Sequence, residues 1–251
     1  MLSWWLPENV STYGADIDWL FHLVYYITAI TFVLVAVAMI WFLIAYRAKP
    51  GRRATYTHGN TMLEIAWTVA PTVILVVLTF LSLGAWARIK AEVPESDTHI
   101  RITGKQFQWK VRYPGPDGRF DTEDDKEFLD EVHLPVGKPV VFHLGAEDVI
   151  HSLFVPSFRF KQDAVPGREI LEWVNVTKPG KYEMPCAELC GFGHSGMRGW
   201  VYADTQEEYE QWLAANVNVA ADGGSPAASE SPGPPTTETS PAQGNPERSG
   251  Q

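Results

Sequence analysis

The 251 residues carry a formal net charge of -10, with 45% hydrophobic residues, ten tryptophans and two cysteines. Binding to a phosphate backbone rests on Lys and Arg, so an acidic surplus of this size disfavours nucleic acid as a partner. The average also conceals a segregation, because the apolar residues are concentrated near the N-terminus and the charges follow.

Residues 1–18 form a polar and aromatic lead. Glu8, Asp16 and Asp18 precede the first apolar run, and no Lys or Arg does. A cleaved signal wants a basic leading region and a short apolar stretch, so this segment does not read as one. Residues 19–46 and 65–87 contain no Asp, Glu, Lys or Arg. Crossing the roughly 30 Å hydrocarbon core takes about 20 helical residues, so residues 19–90 read as a transmembrane helical hairpin. Pro71 lies near the start of the second run, where a membrane helix tolerates it. The connecting loop carries Arg47, Lys49, Arg52 and Arg53. Positive residues near span ends stay on the cytoplasmic side. The loop is therefore placed inside, and both termini, with everything from about residue 92, outside. Glu64 opens the second run, where the helix dipole alone accounts for an acid.

Residues 92–217 read as a globular domain built mostly of strands, at 99–103, 106–113, 132–144 (two short strands around a turn), 169–174 and 199–202. Many short strands separated by Gly and Pro turns argue for a sandwich or barrel. Thr205 followed by Glu208 marks a capping box that opens a short helix over 205–215. The domain holds 22 acidic against 13 basic residues, which fits steering of a basic partner as well as a merely solvated surface. Within it, Asp121, Glu123 and Asp125 alternate as in a calcium loop. The turn glycine and the distal Glu of such a loop are misplaced, so residues 114–125 read as a solvated hairpin. Residues 218–251 are rich in Pro, Ser, Gly, Ala and Thr, cannot bury enough apolar surface to offset their ordering entropy, and are expected to be disordered.

Both cysteines lie in Cys186-Ala187-Glu188-Leu189-Cys190-Gly191-Phe192-Gly193-His194-Ser195-Gly196-Met197. Two thiolates, an imidazole and a thioether make a soft ligand set, which selects copper, zinc or iron–sulfur. The thioether favours copper, since structural zinc sites use Cys and His. In an oxidising compartment two cysteines form a disulfide by default, and the flanking His194 and Met197 weigh against that. A single-copper electron-transfer site uses one Cys, two His and an axial Met. The additional thiolate suggests two copper ions bridged by both sulfurs. A second His must then come from elsewhere. His151 ranks modestly above His143, while His99 and His133 sit in ordinary strand contexts.

This loop, with the upstream Asp148-Val149-Ile150-His151-Ser152 and the segments 155–156 and 161–168, resembles subunit II of haem-copper cytochrome c oxidase over most of the chain. The resemblance implies a two-helix transmembrane hairpin plus an all-β cupredoxin-like Greek-key barrel. It implies a binuclear copper centre, with His151 and Met197 completing one copper and His194 the other. The backbone carbonyl of Glu188 adds a weak ligand, and the Glu188 carboxylate joins a magnesium site shared with subunit I. Glu64 falls where the family places a carboxylate at the mouth of a proton path. The family's Gln-Trp-Tyr-Trp run, whose first Trp receives the electron, is here Gln106-Phe107-Gln108-Trp109, so Phe107 or Trp109 is the candidate receiver. The implied partners are subunit I and other oxidase subunits, cytochrome c or a similar basic carrier, and membrane lipid. The implied location is a bacterial plasma membrane or mitochondrial inner membrane.

No Cys-x-x-Cys-His haem attachment signal is present, and subunit II of quinol oxidases lacks the copper ligands found here. The alternative is a membrane-anchored copper-delivery protein of thioredoxin type. Two spans, the nearby His194 and Met197, and the lack of βαβ patterning speak against it. A disulfide-stapled binding module would leave His151, His194 and Met197 unexplained.

Overall fold

Residues 6–218 are described by a computed structural model; the tail from residue 219, expected to be disordered, lies outside them. The first apolar run is helix α1, Gly14–Ala45. The second is α2, Thr61–Trp86, capped by the Asn60 side chain on the Leu63 amide and closed by a π-helical turn over Ala87–Ala91. Both helices are long and apolar enough to cross a membrane, and their apolar side chains are largely exposed. That is the arrangement expected of surfaces that face lipid rather than water. α1 starts before residue 19, at Gly14, and carries Asp16 in its first turn, where the helix dipole favours an acid.

Among the described residues ten strands follow: β1 His99–Lys105, β2 Gln108–Tyr113, β3 Lys126–Leu129, β4 Glu131–Pro135, β5 Pro139–Ala146, β6 His151–Val155, β7 Phe160–Ala164, β8 Ile170–Asn175, β9 Gly180–Pro185 and β10 Arg198–Asp204. One sheet runs β3-β2-β1-β5-β8, a second β4-β10-β9, and β6-β7 form a separate hairpin. The β1–β5 and β4–β10 pairs are parallel and the others antiparallel. These crossovers between sheets give the Greek-key barrel of the cupredoxin type. Period-two alternation sends Ile100, Ile102, Trp109, Val111 and Tyr113 inward from β1 and β2. They meet Val132, Leu134, Phe142, Leu144, Leu153 and Val201 in one core. Tyr113 closes a corner of it, its hydroxyl donating to His133 O (2.8 Å) and accepting from His133 N (2.6 Å). Helix α3, Gln206–Asn216, starts at Thr205 with both halves of the capping box formed.

The N-terminal lead is part of this barrel. Val10 and Tyr13 are buried in its core. Ser11 forms a β-bridge with Val176, Thr12 N donates to Asn175 O (3.1 Å) and Thr177 N to Val10 O (2.8 Å). In sequence the lead is set apart from residues 92–217 by the whole membrane hairpin, and nothing local marks it as core.

Candidate metal centre

Two loops and one strand end converge at one end of the barrel. β6 begins at His151, which is 0% exposed. The loop after β9 is pinned along its length: Cys186 N donates to Met197 O (3.0 Å) and Ala187 N to Ser152 O (2.9 Å), which ties it to β6. Between these anchors the chain reverses at Gly191, whose φ of +138° is one that a side chain rarely adopts. A one-turn 3-10 segment, His194–Gly196, then returns the chain to Met197.

The result is a cluster of soft donor atoms. The Cys186 and Cys190 sulfurs are 3.9 Å apart, nearly twice the roughly 2.05 Å of a disulfide bond, and both thiols are free and buried. His151 Nδ1 lies 3.9 Å from Cys186 Sγ and His194 Nδ1 3.6 Å from Cys190 Sγ. Met197 Sδ is 3.8 Å from Cys190 Sγ, and the Glu188 carbonyl oxygen 3.3 Å from Cys186 Sγ. Ligand atoms of His151, Cys186 and Cys190 all fall within 4.8 Å of one another. Soft metals bind thiolate sulfur at about 2.3 Å and imidazole nitrogen at about 2.0 Å. One ion can therefore bridge sulfurs up to about 4.6 Å apart, or a sulfur and a nitrogen up to about 4.3 Å apart, and the donors satisfy both limits.

The surrounding residues hold the donors in place. Asp148 Oδ1 lies 2.8 Å from His151 Nε2. Asp148 also accepts from the Gln106 amide (2.8 Å) and the Val149 amide (2.7 Å). Burial pushes its carboxyl up, but the His151 contact and these two amides outweigh it and hold the pKa at about 2. A carboxylate only accepts, so the His151 proton sits on Nε2 and the Nδ1 lone pair faces the sulfurs, the pattern of a metal-ligating histidine. Gln106 Nε2 donates to Cys190 O (2.6 Å). Burial, and then the neighbouring Cys186, push the Cys190 thiol up to about 11, so a metal must displace protons to bind here. Nothing in the sequence alone marks Gln106 for its part in the site. Asp148 could have been found as a carboxylate three residues before a candidate ligand.

Of the other residues singled out in the sequence, Phe107 is 38% exposed and its ring lies against Gly191 and Gly193 of the loop. Trp109 is 0% exposed, edge-to-face on His151 at 6.0 Å between centroids. Glu188 is exposed beside the buried cysteines, as are Leu189 and Phe192. Glu64 stands exposed in the first turn of α2, remote in sequence and fold from the loop. His143, the rival candidate ligand, instead pairs with His99 (3.0 Å) and Glu169 (3.0 Å). His133 lies between Asp204 and Glu131. Asp121 is held by Arg101 and Arg112.

A membrane-anchored cupredoxin-like barrel with a buried His/Cys cluster defines a class: an integral-membrane protein with a metal-binding domain of the electron-transfer type. The comparisons narrow it. The family profile described as "Cytochrome C oxidase subunit II, periplasmic domain" matches residues 99–203. That described as "Cytochrome C oxidase subunit II, transmembrane domain" matches residues 2–85. The chain is 32% identical over 239 residues to the alternative cytochrome c oxidase subunit 2 of Bradyrhizobium diazoefficiens, covering 86% of this chain and 85% of that one. It is 36% identical over 218 residues to a probable cytochrome c oxidase subunit 2 of Rickettsia bellii, covering 81% and 80%. The crystal structure of the periplasmic domain of subunit II of cytochrome oxidase from Bradyrhizobium japonicum is 30% identical, covers 50% of this chain and 96% of that one, and has a TM-score of 0.44. The chain belongs to the cytochrome c oxidase subunit II family. It is a subunit of cytochrome c oxidase, an oxidoreductase, and the one through which electrons enter. It is a membrane protein with a periplasmic domain, in a family that binds copper. The thioredoxin-type delivery reading is not favoured.

Proposed function

We propose that Cys186 and Cys190 bridge two copper ions, with His151, His194, Met197 and the Glu188 carbonyl as the remaining ligands. The observation that carries this is the convergence of both sulfurs, two Nδ1 atoms and one thioether in a buried cluster. When bound, such a pair supplies a one-electron carrier whose charge change is shared between two metals. The protein's part is to hold the donors still. The barrel fixes His151 at a strand end, Asp148 fixes its tautomer, and the cross-loop amide bonds fix the cysteines, so little moves when charge changes. Burial of Cys186, Cys190, His151 and Met197 keeps water from the sulfurs.

Phe107 is the surface on which the donor, cytochrome c or a similar basic carrier, rests. It is exposed and touches the copper loop, whereas Trp109 is sealed beneath it and acts on His151. The acidic surplus of the domain steers a basic carrier toward it. The exposed Glu188 carboxylate is the chain's ligand to a magnesium shared with subunit I. Glu64 marks the mouth of a proton path on the inner side. The basic loop between the spans lies inside, and both termini and the copper domain (residues 92–217 with residues 10–13) outside. The two exposed helices face membrane lipid and subunit I.

Electron paramagnetic resonance of the copper-loaded full chain or oxidase tests this. A hyperfine pattern from one electron shared equally by two copper nuclei is expected, with its loss in Cys190→Ser. A pattern from one copper nucleus, or an unchanged spectrum in Cys190→Ser, would overturn the bridging assignment.

A further inference from the structure

The electron must leave this domain for a haem held by another subunit, and the domain's orientation on its membrane hairpin decides how the copper loop meets that subunit. Polar contacts join hairpin and barrel at the end of α2 and at the start of α1. At the end of α2, Lys90 Nζ lies 2.5 Å from Glu172 Oε1 and 3.0 Å from Gln162 Oε1. The Lys90 and Glu172 side chains are 26% and 7% exposed. One residue earlier, the Ile89 carbonyl accepts from Trp173 Nε1 at 2.8 Å. At the start of α1, Asp18 receives Arg159 through Nε (2.6 Å) and a second nitrogen (3.1 Å), and Arg159 also donates to Pro7 O and Pro156 O.

These contacts have features of a register device. Glu172 and Trp173 are neighbours on β8, and their partners Lys90 and Ile89 are neighbours in the π-helical turn. A π turn is a local widening of a helix, common at functional sites, and here the late carbonyl of Ile89 is used by the sheet. Arg159 sits at a left-handed backbone position, φ 55°, on the loop between β6 and β7. β6 starts with His151, so this clamp and the metal cluster share one hairpin. A buried ion pair adds little net stability, because desolvation offsets attraction, but it penalises every arrangement that leaves one charge unpaired. Glu172 lies among Tyr13, Ile17, Phe160 and Ile89, beside an apolar groove between helices and barrel. A rotated domain would strand it there.

We infer that Lys90–Glu172, Ile89–Trp173 and Asp18–Arg159 are positioning contacts that lock the barrel in one orientation on the hairpin and so set the rate of electron transfer out of the domain. This rests on the relay reading above and adds to it residues that touch neither metal nor donor. The test uses the assembled oxidase carrying Lys90→Met, Trp173→Phe (which removes the N–H but keeps a ring against Tyr13) or the charge swap Lys90→Glu/Glu172→Lys. Three quantities are read: the copper resonance spectrum, the rate at which reduced cytochrome c is first oxidised, and the rate of internal transfer from copper to haem after photochemical injection. A small misplacement remote from the reacting groups can slow a step by up to about 10²-fold. Lys90→Met and Trp173→Phe are expected to slow internal transfer by roughly tenfold, with spectrum and donor oxidation unchanged, and the charge swap to restore most of it. Unchanged internal transfer in both single variants would overturn the inference. So would loss of the copper spectrum in all three, which would make the contacts structural only. A parent spectrum lacking the two-copper pattern would instead refute the relay reading.

Discussion

Gly104 is the residue whose missing side chain leaves room for the His151 ring. It lies on β1 with its α-carbon facing His151. A β-carbon added there would stand 2.7 Å from His151 Cδ2, 2.8 Å from Cγ and 3.0 Å from Cβ, against the 3.4 Å at which ordinary contact begins. The imidazole has nowhere to go. It is wholly buried, lies edge-to-face on Trp109, and holds Asp148 through Nε2 at 2.8 Å. Gly104→Ala must therefore drive the ring away from its seat by several tenths of an ångström or bend β1. Overpacking of this kind costs about 1–3 kcal/mol. The chain should still fold, with a lowered unfolding temperature, and the copper spectrum should change because His151, the proposed ligand, has moved. Gly196→Ala is the control. Gly196 lies between His194 and Met197, yet an added β-carbon meets nothing within 4 Å, so spectrum and stability should be those of the parent. The assay is copper resonance and thermal unfolding on the purified chain. A parental spectrum and unfolding temperature in Gly104→Ala would refute the packing that places His151 at the centre.

Other expectations follow from single contacts. Asp148→Ala removes the group that fixes the His151 tautomer, and copper retention under a competing chelator should fall by roughly 10–100-fold; unchanged retention would remove Asp148 from the site. Tyr113→Phe leaves the His133 amide and carbonyl without their buried partner and should destabilise the barrel by about 1–3 kcal/mol, read by denaturant unfolding, with the copper spectrum intact. Burial holds the Asp130 carboxyl above its usual range, against the Trp109 amide bond that lowers it. A raised folded-state value means that the native fold loses stability as pH rises through it. Asn keeps the acceptor and suits the left-handed backbone, φ 58°. Asp130→Asn should thus unfold at a higher temperature than the parent near neutral pH, and the gap should close on acidification; a gap that widens in acid would contradict the assignment.

Much of the site was legible because its chemistry is local. Four donors fall within twelve consecutive residues, and together they favour a soft metal. The hairpin was legible for a similar reason, since long runs without charge have few other uses. His151 was harder. It lies 35 residues before Cys186, and spacing separated it only weakly from His143. The structure separates them by place, with His151 buried at the cluster and His143 on the sheet's outer face between His99 and Glu169. Phe107 and Trp109 are both aromatic and two residues apart, so sequence does not rank them as electron receiver; they differ in burial, Phe107 being exposed and Trp109 sealed in the core. β6 carries no clear alternation because nearly all of it is buried, and in β7 three polar residues, Lys161, Gln162 and Asp163, separate the two buried ends. The packing of Val10 and Tyr13 into the barrel was illegible, since about eighty intervening residues cross the membrane twice before the first strand begins. The same holds for the clamp at Lys90, Glu172 and Arg159, whose members read in sequence as ordinary surface charges.

The central claim is that electrons pass through the Cys186–Met197 loop before they reach the haem of the partner subunit. The direct test is a rapid-mixing experiment in which the oxidised complex meets reduced cytochrome c, with copper and haem absorbances followed separately. Copper absorbance should bleach first and recover as haem is reduced, and Cys190→Ser should abolish both phases. Haem reduction at the parental rate in Cys190→Ser, or haem reduced ahead of copper, would contradict the account.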